Sequence, residues 1–174
     1  MTDTQIIEDL QKRLSIPSGR HLYGILGSYP ALERCAHSLQ QARKPDGKPF
    51  PVPVSLNRGI LEEIPEEEFK ELVENEPRRP EPTANHVKKA FEAYLRSLLG
   101  KQKLLVLTDL EILFTYNIEL NLLRTLATDD KRIILLLPGC RQRGEVLLFP
   151  ELVENTCTLP VNFIANNHMW ELNE

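Results

Sequence analysis

Three patterns in the sequence predict an α/β fold in three layers, with helices on both faces of a mostly parallel central sheet. Leu104-Leu105-Val106-Leu107 and Ile133-Ile134-Leu135-Leu136-Leu137 are unbroken apolar runs, as expected of strands buried on both faces. Between them Leu120, Leu122, Leu123, Leu126 and Ala127 recur at helical spacing, so strand, helix and strand form a parallel βαβ unit. A further apolar run, residues 21–26, ends in Gly27-Ser28-Tyr29-Pro30 and leads directly into another helical pattern. The chain has 174 residues, 41% apolar and 26% charged, which predicts one ordinary α/β domain spanning 1–174.

Each element follows from local chemistry. Ile6, Ile7, Leu10 and Leu14 lie on one helical face behind a Thr2-x-x-Gln5 or Thr4 cap, and Pro17-Ser18-Gly19 closes that helix. After the strand at 21–26, proline is tolerated in a first helical turn, and Leu32, Cys35, Ala36 and Leu39 continue at i, i+3, i+4 and i+7. Residues 44–49 carry turn chemistry, and residues 50–56 alternate apolar side chains with prolines. Pro51 and Pro53 restrict that stretch to the edge of the sheet. Residues 61–81 hold nine Glu against three Lys or Arg, which predicts a short helix over 66–74 within an acidic, proline-containing linker near 62–82. Thr83, Val87, Phe91, Tyr94, Leu95 and Leu98 mark a long helix with Gly100 placed to end it. The strand over 132–137 is expected to stop at Pro138-Gly139, with two more extended segments at 146–149 and 160–164.

Charge and cysteine content exclude several classes. A formal net charge of −4 argues against a protein that grips nucleic acid with its whole surface. Cys35, Cys140 and Cys157 are odd in number and far apart, giving neither a disulfide framework nor a paired metal motif. His21, His37, His86 and His168 show no ligand spacing, and Cys140 between Gly139 and Arg141 is expected to be inert packing. The first residues lack a signal peptide, no run is long enough to span a membrane, and the expected compartment is the cytoplasm.

A strand that ends in a glycine-containing loop and opens a helix, followed later by an apolar strand ending in Asp109, is the order of a P-loop NTPase-like fold. The loop chemistry departs from that pattern. The signature G-x-x-x-x-G-K-[ST] started at Gly27 places Leu32-Glu33-Arg34 in its last three positions; started at Gly24, it places Tyr29-Pro30-Ala31 there. Neither supplies the phosphate-binding lysine or the Mg²⁺ hydroxyl. Pro30 removes an N–H donor, and Glu33 sets a negative charge where a phosphate would bind. The candidate site residues are therefore Asp109, Glu111, Arg141 and Arg143. Asp109 is either a metal carboxylate or a helix cap, and Glu111 either a site acid or an ion-pair partner. The arginines sit where a loop after a parallel strand faces the ligand crevice, or else in a solvated basic turn.

Leu104-Leu105-Val106-Leu107-Thr108-Asp109-Leu110-Glu111-Ile112-Leu113-Phe114, then Leu120-Asn121-Leu122-Leu123 and residues 133–139, resembles the second half of the small P-loop proteins of BREX-type phage-defence islands. The resemblance covers about residues 100–150 by motif and the remainder by order of elements. It implies a P-loop NTPase-like fold, with Asp109 at the Mg²⁺-site carboxylate position and Glu111 at a nearby acidic one, and the family's phosphate loop is replaced here by Gly27-Ser28-Tyr29-Pro30.

Three functions follow as expectations. The preferred one is a non-catalytic interaction subunit of an antiviral, BREX-type defence complex, with no cofactor. The alternative is an ATPase with a non-standard loop, in which Asp109 and Glu111 hold Mg²⁺ and Arg141 or Arg143 meets the phosphates of ATP. The third is a nucleic-acid-binding accessory acting through Lys88, Lys89 and Arg96, part of a basic concentration that includes Lys101 and Lys103.

Overall fold

A computed structural model describes residues 1–152 and 156–174. Parallel strands run in the order β2 (Val54–Ser55), β3 (Leu104–Thr108), β4 (Arg132–Gln142), β1 (Leu22–Gly27), β7 (Met169–Glu171). Helices cover both faces, giving the P-loop NTPase-like three-layer α/β fold with a mostly parallel central sheet. Alternate residues of each strand enter different cores. Tyr23, Ile25, Val106, Ile134 and Leu136 pack under α1 (Asp3–Leu14) and α2 (Tyr29–Gln41). Leu22, Leu26, Leu105, Leu107, Ile133, Leu135 and Leu137 pack under α3 (Leu56–Glu63), α5 (Pro80–Lys101), α6 (Glu111–Thr115) and α7 (Asn121–Leu126).

Helix starts agree with the caps in the sequence. Thr2 and Gln5 form a reciprocal capping box on α1, and the Ser28 hydroxyl accepts from the Ala31 N–H at the start of α2. Ser55 ends β2 and caps α3 through the Arg58 N–H, so the proline-rich stretch contributes only two residues to the sheet, at its edge.

Four expectations are corrected. The acidic stretch near 62–82 is largely helical rather than a linker: it contains the end of α3, all of α4 (Glu66–Asn75) and the first turn of α5. Phe69 and Leu72 of α4 anchor it on the core below α5. Gly100 lies inside α5, whose cap is Gln102. Residues 160–164 form no strand; the last parallel strand is β7, paired with β1 through Gly24, Ile25 and Leu26.

The fourth concerns β4, which runs through Pro138-Gly139. Its pairing with β3 has already ended at Leu135 and its pairing with β1 ends at Pro138, a margin of the kind where strands accept proline. Beyond it β4 turns into an antiparallel hairpin with β5 (Glu145–Leu148), which in turn pairs with β6 (Cys157–Thr158). A Cβ on Gly139 would stand 2.3 Å from the Leu147 carbonyl oxygen, so only glycine allows this close approach. Among the described residues no helix is long and apolar enough to cross a membrane.

Candidate functional site

In open α/β sheets ligands bind outside the carboxyl ends of the strands, where successive helices leave for opposite faces. Here β1 leads to α2 on one face and β3 leads to α6 on the other, with the end of β4 between them. Asp109 follows β3 with φ of 54°, a left-handed turn that asparagine and aspartate tolerate better than most residues. The turn sends the chain into α6 and brings Glu111 to face the first turn of α2.

Glu111 accepts two hydrogen bonds, from the Tyr29 hydroxyl at 2.9 Å and from Asn57 Nδ2 at 3.0 Å. Asn57, in the first turn of α3, holds the acidic loop at two further points. Its backbone N–H donates to the Asp109 carbonyl at 2.9 Å, and its Oδ1 accepts from the Ile112 N–H at 3.0 Å. One asparagine thus fixes both ends of the Asp109–Glu111 turn, and Tyr29 joins that turn to α2. Burial, the hydrogen bond to Glu111 and the charges of Glu111, Glu151 and Asp109 push the Tyr29 phenol up to about 12. The phenol is therefore a permanent donor near neutral pH, in a neighbourhood whose charges are carboxylates.

The returning hairpin closes the edge from above. The Phe149 N–H donates to the Pro138 carbonyl at 2.8 Å, and its ring packs edge-on against Phe114 of α6 at 5.3 Å between centroids. Phe149 is 1% exposed and sits at φ of 57°, an unusual conformation for an aromatic residue. Burial of the ring holds it there.

The N-terminus of α2 offers little to a phosphate. Pro30 has no N–H, the Ala31 N–H is taken by Ser28, and the Leu32 N–H is taken by the Ser28 carbonyl. A triphosphate cradle needs several free backbone donors and a lysine; this edge presents a phenol, an amide and carboxylates. The residues present do not fit a magnesium-bound triphosphate.

Of the residues singled out in the sequence, Asp109 and Glu111 come together at this edge. Asp109 is not a helix cap, since α6 begins after Leu110 without a side-chain cap, and Glu111 binds a phenol and an amide rather than a lysine or arginine. Arg141 and Arg143 lie elsewhere. Arg141 donates from Nη2 to the Met169 carbonyl at 3.0 Å and from its N–H to Glu171 Oε1 at 3.3 Å, fastening the β4 extension to β7. Arg143 and Gly144, with φ of 51° and 85°, make the exposed tip of the β4–β5 hairpin. Neither forms an ion pair with Asp109 or Glu111 among the described residues.

Lys88, Lys89 and Arg96 are exposed on α5, beside α4, whose first turn carries Glu66, Glu67 and Glu68. Glu68 pairs with His86 at 2.8 Å. Cys140 is half-buried on β4 opposite Leu147. Among the described residues no group of three or more His, Cys, Asp or Glu is placed to hold a metal ion.

Sequence reasoning missed Asn57 and treated Tyr29 only as a turn residue. Nothing local marks Asn57, because its place beside the acidic turn results from β2 pairing with β3 through Val54–Leu107 and Ser55–Thr108. No family model, curated protein or solved structure matches the chain.

Proposed function

We propose that this protein is a non-catalytic, P-loop-like interaction subunit of an antiviral defence complex of the BREX type. The observation that carries the non-catalytic part is the tie across the carboxyl edge. Tyr29, Glu111 and Asn57 satisfy one another where a nucleotide-binding relative needs open donors, and Phe149 packs down beside them. The defence assignment is supported by the resemblance of residues 100–150, since fold alone does not confer function.

Thermal unfolding with ATP or GTP, with and without Mg²⁺, tests the loss of nucleotide chemistry. A ligand at about 100 times its dissociation constant adds roughly 2.7 kcal/mol to the folded state, which moves a domain of this size by several degrees. The expected result is no Mg²⁺-dependent shift, in the natural chain or in Asp109→Ala. A Mg²⁺-dependent rise that Asp109→Ala abolishes would establish the ATPase alternative instead. Mixing the protein with the other proteins of such a defence island and resolving the mixture by size-exclusion chromatography tests the second half. A complex unaffected by Asp109→Ala is expected, and a chain that stays alone with every one of them refutes the assignment.

A further inference from the structure

We infer that the cavity at the opposite, amino edge of the sheet is a binding site for an organic phosphate, a phosphate monoester carried on a compact apolar body. The cavity measures about 810 Å³, within the range of about 300–1,000 Å³ typical of small-molecule sites. Three separate segments build it: the end of α1, the loop over 44–51, and the start of β3 and β4. Its floor is apolar, formed by Leu14, Leu104 and three prolines, and its charged groups stand around that floor.

Four cations, Lys44, Lys48, Lys103 and Arg132, line it against two carboxylates, Asp46 and Asp130, leaving a formal charge of +2. A phosphate monoester carries about −1.5 to −2 at neutral pH and matches that surplus. The cations are not equivalent. Lys44 is paired with Asp46 at 3.1 Å, and Lys103 with Asp130 at 3.5 Å. Arg132 is different: its Nη1 donates to the Leu14 carbonyl, its Nη2 to the Ile16 carbonyl at 3.0 Å and its Nε to the Asp129 carbonyl at 3.4 Å.

Three neutral carbonyls thus hold the guanidinium in one place. Among the described residues no carboxylate lies within ion-pair distance of Arg132 or of Lys48. A fixed, half-buried guanidinium without a counter-charge is pre-organised for an anion, since the usual cost of ordering a long side chain is met in the free protein. The exposed ammonium of Lys48 on the 44–49 turn supplies the second charge. The apolar floor requires a body beyond the phosphate itself, which separates this ligand from inorganic phosphate.

Titration calorimetry in EDTA, with adenosine monophosphate, phenyl phosphate, adenosine and inorganic phosphate as probes, tests the site apart from the carboxyl edge. At least one of the two monoesters is expected to bind more tightly than inorganic phosphate, and adenosine not to bind. Lys48→Glu is expected to weaken binding about ten- to a hundredfold, the value of one charge-assisted hydrogen bond. Lys103→Glu changes a second, exposed wall residue and is expected to act in the same direction, while Asp109→Ala leaves affinity unchanged. Circular dichroism checks that each variant is folded. No binding of either monoester at millimolar concentration, or equal affinity in both charge-reversal variants, would overturn the inference. So would binding that needs Mg²⁺ and Asp109, a result that would also contradict the proposed function; failure here without Mg²⁺ leaves that proposal intact.

Discussion

His21 is 2% exposed, its Nδ1 lies 2.7 Å from the Tyr23 hydroxyl, and its Nε2 has no hydrogen-bond partner among the described residues. Burial first, and then the charges of Arg132 and His168, lower its pKa; the Ser18 carbonyl and Asp129 pull the other way without prevailing. His168, whose ring stands 4.8 Å from that of Tyr23, is lowered by burial and Arg13, against the Leu22 backbone. Both rings are held neutral in the folded state, whereas the unfolded chain takes up protons near 6.5. The unfolded state therefore binds more protons as pH falls through that value, and stability drops with it. The urea midpoint should decline between about pH 7 and pH 5, and His21→Asn should reduce the slope, which per proton cannot exceed about 1.4 kcal/mol per pH unit. An unchanged slope would remove His21 from the account. At this scale Asp109 and Glu111 were legible, because a carboxylate at the end of an apolar strand is a local pattern. Asn57, Tyr29 and His21 were not, since their partners lie far away in the chain or depend on the depth of burial.

The helices were the most legible elements, because a 3.6-residue apolar stripe and a capping residue are both written locally. Errors gathered where a residue with strong local meaning was overruled by a neighbour in space. Proline and glycine normally end a strand, yet β4 passes through Pro138-Gly139 because β5 pairs with the extension. Gly100 looked like a stop signal and lies within a helical turn, with open space where its Cβ would be. Alanine at these two glycines should have opposite effects in urea unfolding. Gly100→Ala should stabilise by about 0.5–1 kcal/mol through lower backbone entropy in the unfolded chain. Gly139→Ala should destabilise by about 1–3 kcal/mol, because the Leu147 backbone cannot move aside without opening the hairpin. Equal effects at both sites would mean that the hairpin does not close as described.

One sheet serves two cores, so neither face can lose its helices without exposing the strands that the other face needs. Trp170 is the single tryptophan and belongs to the α1–α2 face, where its Nε1 donates to Asp9 at 3.3 Å and Arg13 lies 5.8 Å from its ring centroid. The 22-residue α5, the longest helix, belongs to the other face. Tryptophan fluorescence and far-ultraviolet circular dichroism should consequently report one shared urea midpoint, as a single cooperative domain requires. Separate midpoints would show that the two faces unfold independently. The functional contrast is also one of the whole molecule: the carboxyl edge, where such folds usually bind ligands, is tied shut, while the amino edge keeps a cavity with unbalanced positive charge.

What the sequence determined by itself is the α/β class, the buried strands, most helix boundaries and the missing phosphate-loop lysine. These depend on side-chain period, on caps and on the identity of single residues, and all are local. Tertiary structure decided the strand order, the extension of β4, the three-point hold of Asn57 on the acidic turn and the unpaired state of Arg132. Each of these depends on which distant segments meet, and that is set by closing two cores against one sheet, a condition that no short stretch of chain contains.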